Sequence, residues 1–268
     1  MPVVPATTPR KGLPRPFLIL CTGFGVVMVL YAALSAVAFG VRQKETTTTS
    51  YGAVEQLRID GGSGDVTVIG EERDDVRVVA HASWGLAKPD REQQLTGSAL
   101  KVDGGCGFWG NIGVNTCTTD YEIHVPRDTQ VTADADAGDV RAVGLRGRVS
   151  LNASSGDVRA EDVTGELSVN VSSGDVTVVG YGGRDVSVNT SSGDLEVRTR
   201  VAPDRVKAIT ASGDVTVAVP GGDTYNVLTD TESGDRDVQV DQSVDAKRTI
   251  EARTSSGDVR VVRLADAR

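Results

Sequence analysis

Aromatic side chains make up only 4% of the 268 residues, and the chain has two histidines, two methionines and three cysteines. So few imidazoles and thiols leave little material for nucleophile–base pairs or histidine-rich metal centres. No Ser stands in G-x-S-x-G, no glycine-rich phosphate loop opens a helix, and neither His81 nor His124 has a nucleophile partner in the sequence. "SALK" at Ser98–Lys101 has the S-x-x-K spacing of penicillin-recognising enzymes and S-x-N occurs at Ser168 and Ser187, but no K-T-G follows. Basic clusters are missing as well. At a net charge of -9 and without basic runs the chain has little with which to neutralise a phosphate backbone, so no nucleic-acid partner is expected. No motif calls for a cofactor.

Long apolar runs are confined to one place. Residues 17–41, "FLILCTGFGVVMVLYAALSAVAFGV", carry no charge over 25 positions, enough helix for a hydrocarbon core of about 30 Å. The reading is a single transmembrane helix contacting membrane lipid, after a stub at 1–16. Arg10, Lys11 and Arg15 before it have no accompanying acid, which favours a cytoplasmic N-terminus and a C-terminal part outside the cytoplasm. A cleaved signal peptide is the competing reading, with Ala36-Val37-Ala38 as its site, although the apolar run exceeds the usual ~7 to 15 residues. A lipoprotein signal ending at Cys21 suits the bulky Leu20 poorly. Residues 42–52 are polar and read as a tether. Beyond residue 40 stand 25 basic and all 37 acidic residues, so the exported part is the acidic one.

What the chain has in quantity is Gly, 31 of it, between short runs of Val, Leu, Ala and Ile. Aligning each small-residue pair followed by Gly-Asp gives eight copies: Gly64-Asp65, Gly138-Asp139, Gly156-Asp157, Gly174-Asp175, Gly193-Asp194, Gly213-Asp214, Gly234-Asp235 and Gly257-Asp258. The last seven Asp are 18, 18, 19, 20, 21 and 23 residues apart. Eight places before each Asp stands a large apolar residue (Leu57, Val131, Val149, Leu167, Val186, Val206, Val227, Ile250), seven places before a mainly polar one, with Leu228 an exception. Six places before, the residue is again mostly apolar, although Thr229 is not; one place after, seven copies have Val or Leu and one has Arg236. Alternation of period two on both sides of a corner reads as strand, Ser-Gly-Asp corner, strand. One unit cannot bury its apolar face alone, so the fold class expected is all-β: a parallel β-solenoid of 18–23-residue coils over 53–268, irregular over 53–130 and regular over 131–268.

Gly at each corner supplies positive φ or close backbone approach, and Asp can accept from backbone N–H groups that lose their ladder partners where the chain bends. A file of carboxylates would otherwise repel, so calcium is the alternative, with Asp157, Asp175, Asp194 and Asp214 as candidate ligands. "GGSGDV", Gly61–Val66, does not match the nine-residue calcium-binding repeat, whose period is half this one. The sequons at Asn152, Asn170 and Asn189 all lie five places before their Asp, as a stacked amide ladder would.

The signature lapses for 74 residues between Asp65 and Asp139, where Trp84, Phe108, Trp109 and Tyr121 stand. This stretch is expected to cap the stack. Cys106 and Cys117 bracket "GGCGFWGNIGVNTC" and read as a disulfide outside the cytoplasm. Phe108 and Trp109 then plug the solenoid end or form a binding tip. A zinc site from both cysteines, His81 and His124 has the ligand count but not the spacing.

A charged N-terminus with one span, irregular strands closing in "YEIHVP", then serial "SSGDV" coils resembles the bacterial adhesin-like domain of unknown function, a β-strand-repeat family, over Tyr51–Arg268. The resemblance implies a membrane-anchored, surface-facing β-solenoid, in some relatives tied to envelope stress, and brings no catalytic residues. The functional expectation is a non-enzymatic interaction or structural module of the cell envelope whose partner is an envelope protein or cell-wall polymer. The alternative is a polysaccharide-binding or polysaccharide-active β-helix, which needs clustered acids and aromatics for sugar stacking.

Overall fold

The computed structural model describes residues 24–31, 43–85, 88–89, 91–105 and 117–266. The chain divides into two compact units, Met1–Arg42 and Gln43–Arg268. In the first, residues 24–31 are helical and exposed; no described helix is long and apolar enough to cross a membrane. The stub and the rest of the 17–41 run lie outside the described residues.

The second unit is all-β, with most strands parallel. Its strands are β1 (Gln43–Tyr51), β2 (Gln56–Asp60), β3 (Val66–Glu71), β4 (Val76–Trp84), β5 (Glu92–Thr96), β6 (Ala99–Asp103) and β7 (Thr118–Pro126). Then follow β8 (Gln130–Ala137), β9 (Val140–Val143), β10 (Val149–Ser155), β11 (Val158–Glu161), β12 (Leu167–Ser173), β13 (Val176–Tyr181), β14 (Asp185–Ser192) and β15 (Leu195–Thr199). The last are β16 (Arg205–Ile209), β17 (Val215–Val219), β18 (Thr224–Ser233), β19 (Arg236–Val238), β20 (Asp241–Gln242), β21 (Arg248–Ser256) and β22 (Val259–Arg263). They form two sheets of 11 strands. Strands before each corner build a front sheet, β20-β18-β21-β16-β14-β12-β10-β8-β2-β6-β5; strands after it build a back sheet, β1-β4-β7-β3-β9-β11-β13-β15-β17-β22-β19. Each coil thus gives one strand to each sheet. Alternation turns residues such as Leu151, Val169 and Val188 into the space between, where they are fully buried in one continuous core.

The Asp65 copy stacks directly on the Asp139 copy, through β2 on β8 and β3 on β9, despite the 74 residues between them. It is therefore a regular coil, and the irregular region narrows to the insertion. That insertion adds one further coil, β6 beside β2 and β7 beside β3, and flanks it with antiparallel β5 and β4; β1, from before the first corner, pairs antiparallel on β4 at the outside. The parallel pairing thus ends at β6 and β7, beyond which every pairing is antiparallel.

One expectation is corrected, and the stacking order adds a finding. Residues 42–52 are not a tether: β1 pairs along its nine residues with β4, from Gln43 opposite Trp84 to Tyr51 opposite Val76. Polarity suggested a linker, but a Thr run has high strand propensity and one half-buried face suffices at a sheet edge. The last two copies also do not stack in chain order. The Asp258 coil, β21–β22, lies against the Asp214 coil, and the Asp235 coil, β18–β19, is outermost. The reason is chemical. Arg236 occupies the first inward position of β19, where an interior coil would bury its charge, whereas Ile250 and Val259 fill the interior place with no exposure. At the end of the stack Arg236 stays exposed and Leu228 faces solvent at 45% exposure. On the back sheet the outer edge is only the three residues of charged β19; on the front sheet β20 covers the first two residues of the ten-residue β18.

Leu167 is 1% exposed in an interior coil, whereas Thr229 is half-buried in the outermost one. Leu167→Ala is expected to lower unfolding free energy by about 2–5 kcal/mol and Thr229→Ala by less than about 1 kcal/mol, read from denaturant midpoints.

Strand β1 is pinned by Glu45, whose carboxylate accepts from Lys88 Nζ at 2.8 Å and Arg91 Nη2 at 2.9 Å. Tyr51 Oη donates to Gln93 Oε1 at 2.6 Å, and Lys88 sits over the Trp84 ring, 5.3 Å from its centroid. The hydrogen bonds from Lys88 and then Arg91 bring the Glu45 carboxyl from its ordinary 4.5 down to about 2. A depressed folded-state value stabilises above pH 4.5 and is lost as pH falls through about 2. Wild type should therefore melt above Glu45→Gln at pH 7, with the gap closing progressively between pH 4.5 and 2. Calorimetric melting of both proteins over that range checks it; a gap that widens in acid contradicts the assignment.

Candidate functional site: an aspartate file and a polar outer face

At each Ser-Gly-Asp corner the chain leaves the front sheet for the back one, so the ladder would leave N–H groups unpaired. The Asp carboxylates fill that need in sequence along the stack. The backbone N–H of Asp65 donates to Asp120 Oδ1 at 3.1 Å, Asp139 to Asp65 at 3.0 Å, and Asp157, Asp175 and Asp194 each to the preceding Asp at 2.9 Å. Asp214 donates to Asp194, Asp258 to Asp214 and Asp235 to Asp258, each at 2.8 Å. Eight bonds thus run through nine aspartates. Asp120 lies outside the Gly-Asp signature. Its sequence signal is the alternation Tyr121, Ile123, Val125 that follows it, as apolar residues follow every corner Asp but Asp235.

The corner glycine is required by space in every copy and, from Gly156 onward, by torsion as well. Gly174 has φ 145°, donates its N–H to Ser192 O at 3.0 Å, and a Cβ there would overlap the carbonyl oxygen of Gly156 in the next coil. The calcium candidates Asp157, Asp175, Asp194 and Asp214 each commit Oδ1 to an N–H one coil away, so they form a single file rather than a ligand cluster. Among the described residues no group of three or more His, Cys, Asp or Glu side chains could hold a metal ion.

The sequon asparagines form a second file on the front sheet's outer face. Asn152 Nδ2 donates to Asp134 Oδ1 at 2.7 Å, Asn170 to Asn152 Oδ1 at 3.1 Å and Asn189 to Asn170 Oδ1 at 3.2 Å. Beside it run Arg58, Thr132, Ser150, Ser168, Ser187, Lys207 and Glu251, in register on successive strands. Among the described residues, shallow hollows lie along this face; one, of about 360 Å³, is bordered by Asp60, Asp134, Asp136 and Asn152.

Buried tyrosines fill the core instead of the outer faces. Tyr121 and Tyr225 are pushed up to about 12, and Tyr181 higher still, in each case first by burial. Cys117 is buried against Ala82 and Trp84 and is disulfide-bonded. Cys106, Phe108 and Trp109 lie outside the described residues. The zinc reading does not hold together: Cys117 is spent in its disulfide, His81 Nδ1 is 3.0 Å from Thr46 Oγ1, and His124 bridges Glu71 at 3.0 Å and Glu122 at 2.9 Å.

A stack of strand–Gly-Asp–strand coils defines a class of repeat scaffold. The chain belongs to the Toastrack DUF4097 family, whose profile matches residues 54–261. It is similar to a solved candidate adhesin of Bacteroides fragilis at 14% identity, covering 82% of this chain and 98% of that one, with a TM-score of 0.49. A candidate lipid-binding protein of Parabacteroides distasonis matches at 14% identity over 82% and 97%, TM-score 0.45. A candidate cell adhesion protein of Clostridium sporogenes matches at 13% over 82% and 100%, TM-score 0.39. No curated protein matches the sequence.

Removing one link tests the file. Asp175→Ala leaves the Asp194 N–H without its acceptor and is expected to cost about 1–3 kcal/mol, whereas Asp175→Asn keeps a carbonyl oxygen there and should cost less than half as much. Gly174→Ala should cost more than either. Equal midpoints for Asp175→Ala and wild type in urea would mean the carboxylates are ornaments of the corner.

Proposed function

We propose that the protein is a membrane-anchored, surface-exposed, non-enzymatic interaction module of the cell envelope. Residues 17–41 are its single-pass anchor, residues 1–16 stay in the cytoplasm, and the β unit stands outside. The charge-free run and the basic residues preceding it support the anchor and its direction. The observation that carries the binding role is the front sheet's outer face, where Ser, Thr and Asn repeat in register along Thr132, Ser150, Ser168 and Ser187 and along Asn152, Asn170 and Asn189. Hydroxyls and amides repeating every ~4.8 Å suit a long, repetitive partner such as a cell-wall polymer or an extended envelope protein. The adhesin-like names of structural neighbours agree with this role.

One feature favours polysaccharide chemistry instead. Asp60 and Asp134 are direct neighbours on β2 and β8, Asp136 borders the same hollow, and acid-catalysed glycosidic cleavage uses paired carboxylates. Yet the described hollow has no aromatic wall for sugar stacking. Full-length protein in detergent micelles, incubated with isolated cell wall, is expected to sediment saturably with it and to release no soluble sugar. Sugar release that disappears in Asp134→Asn would make the protein an enzyme.

A further inference from the structure

Opposite in the coil to the aspartate file, where strands of the back sheet return to the front sheet, lies a groove of about 530 Å³. Arg127, Arg146 and Arg200 line it together with Asp162 and Thr164, over a floor that includes Gly70 and Gly144. The floor is open because the chain turns left-handed there: Gly144 has φ 68°, and Asp162 has φ 53°, the described non-Gly residue with positive φ. The three arginines come from different coils, following β7, β9 and β15.

Arg146 Nη2 donates to Glu72 Oε1 at 3.0 Å, and Arg127 Nε lies 3.2 Å from the same oxygen. Arg127 Nε is buried and its geometry toward Glu72 does not make a hydrogen bond, so proximity without alignment leaves that donor open. Glu72 reaches in on a side chain 72% exposed. Arg200 packs its guanidinium over Gly182 and makes no ion pair among the described residues. Two convergent arginines on one exposed carboxylate, and a third without an anion, form an oxyanion site whose near end the chain fills with its own Glu72. Asp162 is the acid that opposes it.

We propose that this groove binds a linear polyanion bearing phosphate or carboxylate groups, which displaces Glu72 from Arg127 and Arg146 and engages Arg200 at the far end. Between the levels of Glu72 and Gly182 lie three strand spacings, roughly 14 Å, so a single small anion reaches only one end. The net charge of -9 repels polyanions elsewhere, which confines binding to the groove and makes it salt-sensitive. The site is separate from the front face and does not depend on its role.

The test uses full-length protein in detergent micelles, titrated calorimetrically at low salt with inorganic polyphosphate, orthophosphate and polygalacturonate. At least one polymer should bind ten-fold or more tightly than orthophosphate; polyphosphate alone assigns a phosphate ligand, polygalacturonate alone a carboxylate one. Arg146→Ala and Arg200→Ala should each weaken the polymer about ten-fold, and Arg58→Ala, on the front face, should not. Glu72→Gln should tighten binding several-fold, a gain that misfolding does not mimic, while Glu251→Gln, equal in charge but remote, should change it little. Binding of neither polymer, an unchanged affinity in Arg200→Ala, or weaker binding in Glu72→Gln overturns the proposal.

Discussion

A carboxylate of one coil accepts the backbone N–H of the equivalent Asp in the next, and the rest of the stack is arranged around that bond. Without it, each change of sheet would leave a polar backbone group unpaired at a bend too tight for the ladder to follow. The geometry sets the demands on its neighbours. The Asp must stand at the same level in every coil, so the residue before it passes close under the carbonyl of the adjacent coil, and only Gly fits. Carboxylates one strand apart would repel in isolation, but an N–H dipole lies between each pair and offsets part of that cost. The file has a direction: it begins at Asp120 and ends at Asp235, whose carboxylate meets no further coil.

The ends follow from the same logic. A parallel stack exposes edges that invite another strand, and the two ends are closed by different means. At one, β4 and β5 run against the stack and β1 pairs antiparallel on β4 outside it, held by Glu45, Lys88 and Arg91. At the other, the short β19 and the charge of Arg236 make the back-sheet edge of the outermost coil a poor template.

Chemically the scaffold separates its surfaces. The corner file satisfies the backbone, the front face repeats small hydrogen-bonding groups without a singular point, and the return corner gathers three arginines on an otherwise acidic unit. A solenoid produces such division because each position in the coil becomes a column. Columns of like residues suit repetitive partners, and departures such as Arg127, Arg146 and Arg200 mark places where one column differs from its neighbours.

Period-two alternation and the Gly-Asp corner are local features, so the repeat strands, their inward residues, the corner and the register of Asn152, Asn170 and Asn189 are legible in the order of residues alone. Three strand exceptions, Leu228, Thr229 and Arg236, were visible too, but their meaning was not: only the stacked structure showed that they belong to one coil and that this coil is outermost. Stack order depends on which coil can bury its face against Asp214's, a contact between residues 44 positions apart that alternation does not encode. Likewise, Asp120 and the Arg127–Arg146–Arg200 groove have no shared motif. They were brought together by tertiary stacking, because residues scattered along the chain become neighbours only once coils lie about 4.8 Å apart. Strand β1 looks like a tether for the converse reason: its pairing comes from β4, not from any hydrophobic pattern of its own.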